Sequence, residues 1–145
     1  MANPSRRALA AGALIAALAL SACAAPAGPS PTPTEPPTEG AVVVTFRAPD
    51  GAIWRQRLTE PADIEIAREI AAGLRDPMIP NGRIVRNDPD VNEGWSWHLD
   101  PADFEWAEFT MEVCDGLPIF VEDGTLTSDR YCPWTAEIVS VEPLE

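Results

Sequence analysis

The segment AAPAGPSPTPTEPPTEG, residues 24–40, does most to limit what this chain can fold into. Six of its residues are proline. Proline has no backbone N–H and holds φ near −65°, so the run can neither continue a helix nor fill a central strand. It favours an extended polyproline II course of about 3 Å per residue. Read as residues 23–40, the stretch is a semi-rigid tether. A ligand for proline-binding domains is the less common use of such a run. Folding is left to residues 41–145, one domain's worth of chain.

What precedes the tether, MANPSRRALAAGALIAALALSAC, has the layout of an export signal. Arg6 and Arg7 form a positive region, and the apolar run Ala8 to Leu20 is too short for a comfortable membrane span, which needs about 20 residues. Arg6-Arg7 also fits a twin-arginine signal, but the surrounding residues depart from that pattern, so the general secretory route is expected. Leu20-Ser21-Ala22-Cys23 resembles the bacterial lipobox. That resemblance implies a signal peptide over residues 1–22 and acyl chains on Cys23, of which two or three anchor stably where one does not. The alternative is an ordinary cleaved signal that happens to be followed by cysteine. The lipoprotein reading places the domain at the cell membrane, lipid-anchored on the extracytoplasmic face.

Charge narrows the partners. All 23 acidic residues lie after the signal, against eight of the ten arginines, and there is no lysine: a difference of 15 negative charges. Such a surface repels nucleic acid and anionic headgroups. Its expected partners are the membrane, through the anchor alone, and a protein or cationic ligand.

With Cys23 assigned to lipid, Cys114 and Cys132 remain, and in an exported domain they most simply form one disulfide. A catalytic or metal-binding role is the weaker alternative, since neither sits in a CxxC pair or beside a histidine. Ala41–Arg47 and Ala52–Leu58, around the turn Ala48-Pro-Asp-Gly51, read as a hairpin. Ile64, Ala67, Ile70, Ala71 and Leu74 recur at helical spacing, which predicts one amphipathic helix from Pro61 to Leu74 capped by Thr59. After the turn Asn81-Gly82, strands are expected at Arg83–Arg86, Trp95–Leu99 and Phe104–Cys114. In the last of these Phe109, Met111 and Val113 would face inward past a bulge near Ala107-Glu108. Leu117–Val121 is apolar, Glu122–Tyr131 reads as a polar loop, and Ala136–Glu142 closes the domain. The predicted fold is α+β in two layers: one amphipathic helix packed on an antiparallel sheet of about five strands, with one disulfide.

Gly94-Trp-Ser-Trp-His-Leu-Asp-Pro101, Phe104-x-Trp106-Ala107-Glu108, Glu112-Val-Cys-Asp-Gly116-x-Pro118, Phe120-Val-Glu122 and Tyr131-Cys-Pro-Trp134 carry a family likeness. Together they resemble the core of the small secreted domains related to the N-terminal domain of the BP-seventy-four protein. The likeness extends over nearly all of residues 41–142. It implies a non-enzymatic domain, and the calcium- or calmodulin-related names of some members raise calcium as a candidate. Family members have a longer helix between the two cysteines than Val121-Glu-Asp-Gly124 allows here.

Three functional readings follow. The first is a binding module of unknown ligand without a cofactor, whose recognition surface is the loop Asp115–Tyr131 fixed by the disulfide. The second is a calcium-dependent module using Asp88, Asp90 and Asn92, with Asp100 or Asp103 completing the cage. Those three oxygens alternate as in an EF-hand, but Gly94 comes one place late and Leu99 stands where a bidentate Glu is needed. The third is a hydrolase-type enzyme centred on His98, the only histidine, oriented by Asp100 or Glu112. Ser96, on the same strand face, would be about 7 Å away, too far for a nucleophile. Zinc is not supported, with no second histidine and no free thiols. Trp95 and Trp97 share the opposite face and are expected to fill core rather than to stack on a ligand.

Overall fold

Val42–Arg47 (β1) and Ile53–Leu58 (β2) form the expected hairpin in a computed structural model that describes residues 40–145. Alternation drives it: Val42, Val44 and Phe46 point one way with Trp54 and Leu58, and all are buried. The last strand, Glu137–Pro143 (β7), pairs antiparallel with the other edge of β1, so the first sheet runs β2-β1-β7. Its register shifts between Thr45 and Phe46, the mark of a bulge.

A second sheet is built round one long strand. Ile79–Arg86 (β3) pairs antiparallel with three short strands: Trp97–Leu99 (β4), Glu105–Ala107 (β5) and Arg130-Tyr131 (β6). The expected single five-stranded sheet under one helix is therefore overturned. There are two sheets, of three and four strands, in a mostly β domain.

Three local causes account for the difference. Asn81-Gly82, read as a turn, lies inside β3. Gly82 is used there for its lack of a side chain, since a Cβ would stand 3.1 Å from the Leu99 Cβ. The expected strand Phe104–Cys114 stops at Ala107. In the register Ile79↔Ala107, residue 109 would face Pro77, which offers no N–H. The chain instead turns out through residues 108–111 and closes a 3-10 turn over Glu112–Cys114. Leu117–Val121, read only as apolar, contributes no strand: Pro118–Glu122 (α2) is a short helix with proline in its first turn. It ends where Gly124 takes φ +79°, in keeping with the early break at Val121-Glu-Asp-Gly124.

The amphipathic helix runs Pro61–Ala71 (α1) and lies against β7 and β5, with Ile64 and Ala67 buried. Glu60, not Thr59, holds the cap position, and no side chain caps the helix. Gly73 at φ +70° ends the helix before Leu74, which is exposed.

Aromatic rings join the sheets. Phe46 stacks on Trp54 with centroids 4.3 Å apart; Trp54 meets Trp97 at 5.9 Å and Tyr131 at 5.7 Å, and Tyr131 stands edge-on to Trp97 at 5.4 Å. Offset and edge-to-face ring pairs of this kind add about 1 kcal/mol each beyond their buried area. Trp97 thus belongs to the core, as expected, while Trp95 packs at its margin. Strand β4 starts only at Trp97, so Trp95 and Ser96 belong to the turn that leads into it.

Candidate functional site

Two places gather the residues that the sequence singles out. The first is the loop leading into β4. Asn92 is fully buried; its side-chain oxygen accepts the Arg55 N–H at 2.8 Å and its amide donates to the Trp97 carbonyl at 2.8 Å. Asp90, at φ +48°, pairs with Arg57 at 3.0 Å. Asp88 is exposed, and its carboxylate accepts the Asp90 N–H at 3.1 Å, as Asp commonly does in turns. Asp100 lies on the far side of β4, ion-paired with Arg83 and accepting the Ala102 N–H at 2.9 Å. Burial works to raise its pKa, but the Ala102 N–H, Arg83 and His98 together hold its carboxyl below the ordinary range. Asp103 is taken up by Arg130 at 2.9 Å. The structure thus brings Asp88, Asp90 and Asn92 into one loop but gives each of these side chains a protein partner, and it places Asp100 elsewhere. Among the described residues, no cluster of three or more His, Cys, Asp or Glu side chains has the spacing of a metal site.

His98 is buried on β4 with Nδ1 2.7 Å from the Asp88 carbonyl oxygen. Ser96 turns away from it: its N–H and its hydroxyl both donate to Glu122, at 2.9 and 3.1 Å. Glu112 sits exposed in the 3-10 turn. The arrangement offers His98 no nucleophile and no access.

The second place surrounds the disulfide. Cys114 and Cys132 are bonded, both buried, and the Cys132 N–H donates to the Cys114 carbonyl at 2.8 Å. Trp134 adds two further ties, its N–H to Asp115 at 2.9 Å and its indole to Thr110 at 2.6 Å. The Tyr131 hydroxyl donates to the Gly116 carbonyl at 3.0 Å; burial raises the pKa of that hydroxyl well above the usual tyrosine range, with Asp115 and Asp50 adding to it. On this fixed frame Phe109, Met111 and Val113 are 85, 73 and 65% exposed, with Trp134 at 41% beside them. They were expected to face inward and instead form an apolar shelf. A depression of about 300 Å³ opens alongside, lined by Phe109, Met111, Ala107, Asn81, Glu105 and Arg130.

This shelf is what reading the residues in sequence misses. The alternation Phe109-x-Met111-x-Val113 is a sound strand signal, but it needs a partner strand, and the Asp76-Pro77 break denies it one. That signal is visible only once the register with β3 is known.

A small, disulfide-bonded β domain with an apolar shelf held rigid at its surface is the class these features define. The family model of the BP-seventy-four N-terminal domain matches residues 40–145, and the chain belongs to that family. No curated protein and no solved structure matches it. The expected signal peptide, Cys23 and all but the last residue of the expected tether lie outside the described residues.

Proposed function

We propose that this chain is a lipid-anchored protein on the extracytoplasmic face of the cell membrane, and that its folded domain binds a protein partner rather than turning over a substrate. The anchor rests on the lipobox-like Leu20-Ser-Ala-Cys23 behind a positive and then apolar leader. The observation that carries the binding reading is the shelf: three large apolar side chains stand in solvent on a segment tied down by a disulfide and by Trp134. A folded chain that could bury them gains by doing so, and a pre-ordered surface loses little entropy when a partner covers it. No cofactor is needed for this role. The calcium and hydrolase alternatives are not favoured, because Asn92, Asp90 and His98 are already committed to protein partners.

Two experiments test it. Mass spectrometry of membrane-extracted protein is expected to find a diacyl-modified Cys23 as the first residue; a soluble product beginning elsewhere removes the anchor. A photo-reactive amino acid at position 111 is expected to crosslink to another protein in intact cells, while one at Glu142 does not. Equal or absent crosslinking at the two positions overturns the binding surface.

A further inference from the structure

Among the described residues only some acids pair with an arginine, and two that do not flank the shelf. Asp90, Asp100, Asp103 and Glu69 each pair with an arginine. Between Phe104 and Pro118 the chain has Glu105, Glu108, Glu112 and Asp115 and no basic residue at all. Glu108 and Glu112, which bracket Phe109 and Met111 in sequence, are exposed and enter no ion pair among the described residues. The nearby cations are already engaged. Arg130 is held by Asp103, Asn81 and Glu105, and Arg75, which lines a neighbouring depression with Glu108, is held by Glu69 at 2.6 Å. Exposed apolar side chains and unneutralised carboxylates therefore occupy the same few residues.

That combination selects an occupant. A second copy of this chain brings the same excess of acid to the contact, and like charges side by side oppose it. A membrane surface offers apolar chains, but reaching them carries Glu108 and Glu112 through a headgroup layer that is anionic or neutral. A basic polypeptide segment satisfies both features at once. Resting on the reading of the domain as a binding module, we infer that the shelf docks a basic, apolar-anchored segment of a protein partner. One apolar side chain of that segment enters the depression beside Phe109 and Met111. Its arginines or lysines lie against Glu108 and Glu112, with the open face of Trp134 available to a guanidinium. Specificity then comes from the charges and affinity from the buried rings.

The test is to pan a random peptide library on the full chain held in detergent and to measure the enriched peptides by fluorescence anisotropy. The expected peptides carry Arg or Lys next to Leu, Phe or Trp. Phe109→Ser with Met111→Ser is expected to weaken them roughly tenfold or more. Glu108→Gln with Glu112→Gln is expected to weaken them roughly threefold and to flatten their salt dependence. All four side chains are exposed, so both variants are expected to melt as the parent does. Enriched peptides that are neutral or acidic yet still need Phe109 and Met111 overturn the basic partner and leave the binding surface standing. Peptides indifferent to both variants, or no enrichment, overturn the surface itself. A dimer, or capture of uncharged lipid vesicles, that is lost with Phe109→Ser and Met111→Ser assigns the shelf to a second copy or to lipid and overturns the inference.

Discussion

Gln56 and Asn92 do with side-chain amides what a sheet does with peptide groups. Gln56 is fully buried on β2, donates to the Leu99 carbonyl at 2.9 Å and accepts the Leu99 N–H at 3.2 Å, so it pairs with β4 as one more residue of a ladder would. Replacing it by Leu leaves a buried N–H and a buried C=O without partners, and an unfolding titration in urea is expected to show a loss of about 2 kcal/mol. Two carboxylates respond to pH in opposite senses. Burial, then Glu60 and Glu105, raise the pKa of Asp63 from 3.8, outweighing the favourable start of α1. Its charged form is penalised in the folded state, so it costs stability above the folded pKa and nothing below about 3.8. Asp100 is shifted down, so it adds stability above 3.8 that is lost as pH falls through its lower folded value. Thermal melts at pH 7 are expected to rise for Asp63→Asn and fall for Asp100→Asn, by a few degrees at most; the Asp63→Asn difference vanishes below about pH 3.8, and the Asp100→Asn difference shrinks as pH falls below 3.8. The same direction for both at pH 7 contradicts the assignment.

Among the elements, the hairpin, the amphipathic helix and the closing strand were legible because each carries its own period. Ile64 and Ala67 sit three apart on α1, and Val42, Val44 and Phe46 alternate on β1. The second sheet was legible in part: the strands expected at Arg83–Arg86, Trp95–Leu99 and Phe104–Cys114 overlap β3, β4 and β5, but their bounds and the whole of β6 were not, since β4, β5 and β6 are three residues or fewer and hold their shape only by pairing with β3. Two or three residues cannot display a period, and Tyr131 in a polar stretch gives no sign that it will fill the core. The site divides in the same way. The Cys114–Cys132 bond was readable by counting cysteines, whereas the exposure of Phe109 and Met111 followed from Pro77, some 30 residues earlier in the chain. The staple closes a loop across a separation of 18 residues and is expected to stabilise the fold by about 3 kcal/mol. Comparing urea midpoints of the parent and of Cys114→Ala with Cys132→Ala measures it, and coincident midpoints would show that Trp134 and Tyr131 hold the loop alone.

The molecule as a whole carries its charge unevenly against its size. Residues 40–145 hold eight arginines and no lysine against an excess of acid, so the folded domain repels itself. Screening weakens that repulsion over the Debye length, about 10 Å at 0.1 M salt. Raising sodium chloride from about 10 mM to about 300 mM is expected to lift the melting temperature by a few degrees. A fall would mean that the ion pairs Arg57–Asp90, Arg83–Asp100 and Arg130–Asp103 outweigh the net charge. The pairing of β1 with β7 bears on the order in which the domain can fold. β1 is the middle strand of its sheet, with Val42 opposite Pro143, so its second neighbour is the last strand of the domain to be synthesised. Until that strand leaves the ribosome, Val42, Val44 and Phe46 have one edge unsatisfied, and the sheet cannot close. A domain whose first strand waits for its last commits to its shape only once the whole of it has been made.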